Sequence, residues 1–91
     1  MIYFYIQQRV KAYARWKEAF DNHLAARQAG GATDEVIILR NVANPQEIVL
    51  FLGWCDLAQA QLFAQSVCWQ MMLQEMGVGS VREVGFWERV G

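Results

Sequence analysis

Apolar and aromatic residues fill both alternating sets along Ile2 to Gln8: Ile2, Phe4 and Ile6 on one side, Tyr3, Tyr5 and Gln7 on the other. That period of two predicts a strand. From Val10 to Ala29 the period lengthens, and Tyr13, Trp16, Phe20 and Leu24 recur at spacings of three and four. These residues fall on one stripe of a helix, with Arg15, Glu18 and Asn22 opposite. Gly30-Gly31 ends the helix, because glycine enters the left-handed region without a Cβ clash. Glu35 to Asn41 predicts a second strand and Glu47 to Trp54 a third, joined as an antiparallel hairpin through Asn44-Pro45. Asp56 starts a second helix as a cap, with Gln59 three residues on in a box-like pattern. Ser66 is a second cap, where this helix breaks and restarts as Val67 to Met76. Gly77 and Gly79 close it, and Val81 to Arg89 is the last strand.

The order strand, helix, strand, strand, helix, strand is a ferredoxin-like βαββαβ plan of the α+β class: a four-stranded antiparallel sheet with two helices on one face. Residues 1–91 form one domain, with no internal repeat or low-complexity linker. Two helices cover only one sheet face, and a sheet with a wet second face alternates apolar and polar residues. These strands do not. Ile48, Leu50, Leu52 and Trp54 oppose Val49, Phe51 and Gly53; Val36 and Ile38 oppose Ile37 and Leu39; Val84 and Phe86 oppose Gly85 and Trp87. A homodimer packed sheet on sheet supplies the missing cover.

Composition agrees with this picture. Hydrophobic residues make up 55% of the chain, including four Trp, more than one small core needs. The formal charge is −1 with no basic run, which argues against a nucleic-acid partner. No stretch approaches the roughly 20 apolar residues of a membrane span. Met1 to Ile6 lacks the basic start of a signal peptide. The expectation is a soluble cytoplasmic protein. Cys55 and Cys68 stand thirteen residues apart and match no zinc or redox spacing, so both are expected as buried free thiols.

Several segments resemble one known group: Val10-Lys-Ala-Tyr-Ala-Arg-Trp-Lys-Glu-Ala-Phe-Asp21, the strand end Arg40-Asn41, Asn44-Pro-Gln-Glu47, Trp54-Cys-Asp-Leu57 and Phe63-Ala-Gln-Ser66. Together they resemble the dimeric α+β barrel superfamily, and within it the small antibiotic-biosynthesis-monooxygenase-like or "cyclase" proteins. The resemblance spans nearly the whole chain. It implies a homodimer whose two sheets form a barrel, with a pocket between each protomer's sheet and helices. It also implies a cofactor-independent oxygenase or cyclase acting on an aromatic or polyketide-like molecule, although the group includes haem-degrading enzymes and proteins without known activity. Three departures stand out. Ala12 occupies a position where the group usually has a capping Asp, which costs about 1 kcal/mol of helix stability. After Ser66 the group continues with Pro and charged residues, whereas here stand Val67, Cys68 and Trp69. The haem-degrading branch resembles an Asn on the first strand with a Trp and a His on the second helix, and here only Trp69 is present.

The candidate chemistry is sparse. By helical projection Arg27 lies roughly 25° and His23 roughly 65° from the centre of the apolar stripe. An inward Arg suits a site where it holds an anionic or carbonyl oxygen while His23 shuttles a proton. The structural alternative has Arg27 complementing the helix C-terminus and His23 at the rim. Arg40 either joins the pocket or pairs with Glu47 or Asp34. Trp54, Trp69 and Met72 are candidate substrate contacts, and Trp16 is read as packing. One His and no acidic cluster leave no metal site, and no phosphate loop or dinucleotide fingerprint points to a cofactor. Three functions stay open: a cofactor-free enzyme, a non-catalytic ligand-binding module, or a dimeric scaffold whose apolar second helix docks a partner.

Overall fold

The computed structural model describes residues 1–91. It contains β1 (Ile2–Val10), α1 (Tyr13–Asn22), α2 (Leu24–Ala29), β2 (Ala32–Arg40), β3 (Glu47–Trp54), α3 (Leu57–Ala64), α4 (Val67–Glu75) and β4 (Val78–Glu88). The strands form one antiparallel sheet in the order β2-β3-β1-β4, the ferredoxin-like arrangement expected from the pattern.

Even-numbered residues of β1 and β3 face the helices. Phe4, Ile6, Val10, Ile48, Leu50, Leu52 and Trp54 pack there against Trp16 and Phe20 of α1, Ala60 and Phe63 of α3, and Trp69 and Met72 of α4. Aromatic rings knit the layers together. Trp16 stacks on Phe20 with centroids 5.1 Å apart, Trp54 meets Phe63 at 4.9 Å, and Phe4 meets Trp69 at 5.4 Å.

Each predicted helix is a pair. The second breaks at Ser66 as its sequence indicates. Ser66 Oγ accepts from Trp69 N at 3.1 Å, and Asp56 Oδ1 accepts from Gln59 N at 2.8 Å. An Asp56→Ala variant is expected to lose about 1 kcal/mol of stability, read as a lower urea midpoint at unchanged slope. Ala12, by contrast, offers α1 no side-chain cap. The break in the first helix is a correction. His23 leaves helical geometry at φ −96°, ψ 9°, and Leu24 beyond it is exposed rather than on the buried stripe.

Two strands begin three residues earlier than their patterns suggest, β2 at Ala32 and β4 at Val78. Gly31, at φ 109°, turns the chain into β2, and a Cβ there would run into Gln59. On β3, a Cβ at Gly53 would run into the Thr33 side chain and crowd Glu35, so glycine eases the close approach of β2 where its pairing with β3 is irregular. Both cysteines are exposed, not buried. Cys55 follows the last residue of β3 and Cys68 lies on the outer side of α4, so their positions in the elements override the residue type's tendency to be buried.

Candidate functional site

Arg27 is the most unusual side chain of the first helical pair. It is 4% exposed, yet no carboxylate lies within ion-pairing distance. The break at His23 turns α2 so that Arg27 reaches back under α1. Its Nη1 donates to the Phe20 carbonyl at 2.6 Å, and its guanidinium sits 3.9 Å over the Phe20 ring. Burial holds its pKa below the ordinary arginine value, and Asp21 partly opposes that shift. A charge in this position is costly unless something answers it.

It lines a cleft of about 390 Å³ between α1, α2 and the β2 edge, with Lys17, Phe20, Asp21, Val36 and Ile38 among the other walls. Lys17 Nζ is 2.7 Å from Asp21 Oδ1, so that pair is matched and Arg27 carries the unanswered positive charge. The cleft thus has an apolar wall, an aromatic ring and one unneutralised cation. Such a site suits an aromatic molecule bearing an anionic oxygen.

His23 lies one turn before Arg27 and does not line this cleft. Its Nε2 is 2.7 Å from Glu75 Oε2, which joins the α1–α2 break to the end of α4. A carboxylate on one ring nitrogen orients the imidazole and leaves Nδ1 as the other proton-exchanging position. Arg40 is on the helix-facing side of β2, two residues beyond Ile38. It pairs with neither Glu47 nor Asp34, and its guanidinium lies 5.3 Å from the Tyr13 ring. Trp54, Trp69 and Met72 sit in the closed core, at 0%, 4% and 2% exposure. The fold thus sets Arg27 and His23 one turn apart but facing different surroundings, and holds Trp54, Trp69 and Met72 in the packed core.

Sequence reasoning missed Gln8. It follows Ile2, Phe4 and Ile6 on the helix-facing side of β1, where every other residue is apolar, and this break in the alternation was the available signal. Its side chain is fully buried, with neither Nε2 nor Oε1 hydrogen-bonded. The indole nitrogens of Trp16 and Trp54 are also buried without partners.

The opposite sheet face has no helix over it. At one end Tyr3 donates to Glu35 Oε1 at 2.5 Å, with Arg89 Nη1 3.7 Å from the same oxygen. Donation to Glu35, then burial, holds the Tyr3 hydroxyl above the ordinary tyrosine range. At the other end Glu47 accepts from Gln7 Nε2 at 3.2 Å and pairs with Arg82 Nη1 at 2.9 Å. Between them Ile37, Leu39, Phe51 and Trp87 wall a shallow hollow of about 520 Å³ with the Glu35 end, and the Tyr5 ring lies against Phe51 and Trp87. An apolar centre with polar margins is the anatomy of a protein interface.

No protein-family model and no curated protein sequence matches the chain. Solved structures do match in fold. A Bordetella bronchiseptica protein assigned as an antibiotic biosynthesis monooxygenase superposes with a TM-score of 0.79 at 18% identity, over 98% of this chain and 96% of that one. SnoaB, a cofactor-independent oxygenase from Streptomyces nogalater, gives 0.70 at 15% identity, over 99% and 92%. A conserved protein from Methanosarcina mazei gives 0.70 at 11% identity, over 98% and 92%. The chain therefore has the ferredoxin-like α+β fold of the antibiotic-biosynthesis-monooxygenase-like proteins.

Proposed function

We propose that the protein is a cofactor-independent oxygenase or cyclase-like enzyme that binds an electron-rich aromatic molecule in the Arg27 cleft and works as a homodimer through its uncovered sheet face. The buried, unneutralised Arg27 carries this reading. An enolate or phenolate oxygen answers its charge, and a guanidinium already stripped of water binds such an oxygen strongly. Binding there lowers the acidity barrier of the ligand hydroxyl. His23, held by Glu75, one turn from Arg27 and outside the cleft walls, takes that proton on Nδ1 through an intervening water. The electron-rich anion is then the form exposed to oxygen. Arg40 follows the cleft residues Val36 and Ile38 on β2 and lies against Tyr13, while Trp54, Trp69 and Met72 belong to the packed core under the helices.

A second reading, a binding module without turnover, draws on one observation: His23 does not share the cleft walls with Arg27. Titration with 1-naphthol separates the two. Trp16 lies against Phe20, which carries Arg27, so ligand in the cleft is expected to quench Trp fluorescence saturably. Arg27→Met removes the charge at similar volume and is expected to weaken binding about tenfold to a hundredfold, the worth of a charged hydrogen bond. Arg27→Lys is expected to recover part of it. Oxygen uptake that disappears in His23→Ala supports the enzyme. Quenching without oxygen uptake supports the binding module. Quenching unchanged in Arg27→Met overturns both readings.

A further inference from the structure

The Arg27 reading leaves Gln8 unused, and Gln8 is the least expected group in the core. A buried amide with neither its donor nor its acceptor paired is costly to keep. Three other observations gather near it. Gln8 and Val10 are successive helix-facing residues of β1, paired across the sheet with Val81 and Val78 of β4. The β1–β4 register slips between Gln7 and Gln8 and again between Arg9 and Val10, so Gln8 lies between two irregularities. Such bulges re-aim side chains and cluster beside binding sites. A cavity of about 420 Å³ opens at this end of the sheet, walled by Lys11, Arg15, Met76, Gly77 and Val78. Neither Lys11 nor Arg15 pairs with a carboxylate.

Met76 separates this cavity from the interior. It lines the cavity, is 3% exposed, and belongs to the same core cluster as Val10. Its unbranched thioether changes rotamer at low cost. Gly77 follows at φ 68°, a left-handed turn that leads the chain from α4 into β4.

We infer that this end of the sheet is a second ligand site, apart from the Arg27 cleft, for an elongated aromatic acid with a distal hydroxyl. The carboxylate binds Lys11 and Arg15 at the mouth. The ring takes the space of Met76, and the hydroxyl both donates to Gln8 Oε1 and accepts from Gln8 Nε2. Gln8 and Lys11 are three residue steps apart, about 10 Å at the rise of an extended chain, which matches the length of 4-hydroxycinnamate.

The test is calorimetric titration of the full chain with 4-hydroxycinnamate, with cinnamate, which lacks the hydroxyl, and with 4-hydroxystyrene, which lacks the carboxylate. Unsubstituted protein is expected to bind the first about tenfold more tightly than either of the others, one hydrogen bond or one screened ion contact each. Gln8→Leu is expected to melt no lower than the parent and to bind 4-hydroxycinnamate and cinnamate equally. Lys11→Ala/Arg15→Ala is expected to erase the preference for the acid over the styrene. Protein saturated with 1-naphthol is expected to bind 4-hydroxycinnamate with unchanged affinity, so this inference and the Arg27 reading fail separately. Equal binding of all three compounds by the unsubstituted protein, or a hydroxyl preference that survives Gln8→Leu, overturns the inference.

Discussion

A Trp87→Glu variant is expected to sediment as a 10.5 kDa monomer at concentrations where the parent chain sediments as a dimer. Trp87 is 56% exposed, with Ile37 and Leu39 at 40% and 53% on the same uncovered face. Large apolar groups this open, set around Tyr5 and Phe51, are what a second copy would cover. Trp is also the residue type most often found at the energetic centre of an interface. Glutamate at this position would bury a charge in each of two symmetry-related places, where the cation of the same hollow, Arg89, already faces Glu35. Loss of about 2 kcal/mol or more at such a centre weakens association at least about thirtyfold. The substitution is on the outside of the protomer, so the far-ultraviolet circular dichroism is expected to stay the same. Light scattering that finds the parent monomeric at micromolar concentration removes the dimer from the proposed function.

Trp16→Ala is expected to cost about 3–5 kcal/mol, a large part of the roughly 5–15 kcal/mol that holds a domain together. Trp16 is fully buried, stacked on Phe20 and close to Tyr13 at 5.7 Å. Its removal opens a void beneath α1 and frees the ring that supports Arg27. Trp16→Phe supplies the contrast. It keeps most of the apolar contact and discards an indole N–H that has no partner, so its cost is expected to be far smaller. Chemical denaturation of the three proteins measures both differences. Equal losses for the alanine and phenylalanine variants contradict the packing account.

The fold was legible because its signals agree with one another. β3 runs from Glu47 to Trp54 as read from the pattern, and the Asp56 and Ser66 caps are made by the expected backbone N–H groups. What was not legible depended on tertiary geometry. No Gly or Pro marks the break at His23, and the spacing of Phe20 and Leu24 suits a continuous helix. Gly79 reads as a helix terminator, yet it lies inside β4, where the register slip accommodates it. The inward direction of Arg27 followed from helical projection alone. Its freedom from any carboxylate did not, because that depends on which charges other elements bring near. Gln8 is the opposite case. Its place in the strand alternation was visible, but the absence of a partner is a property of the folded core.

The two register slips of β4 have a bearing on self-association of another kind. β4 is an edge strand, and an edge strand's unpaired N–H and C=O groups can recruit strands from other molecules into fibrils. Irregular spacing over Val78–Glu83 breaks that regular ladder in the first half of β4, so an incoming strand finds only Glu83–Glu88 in step. A variant that exposes the apolar sheet face therefore meets only a shortened template on this side, which favours face-on pairing over runaway polymerisation.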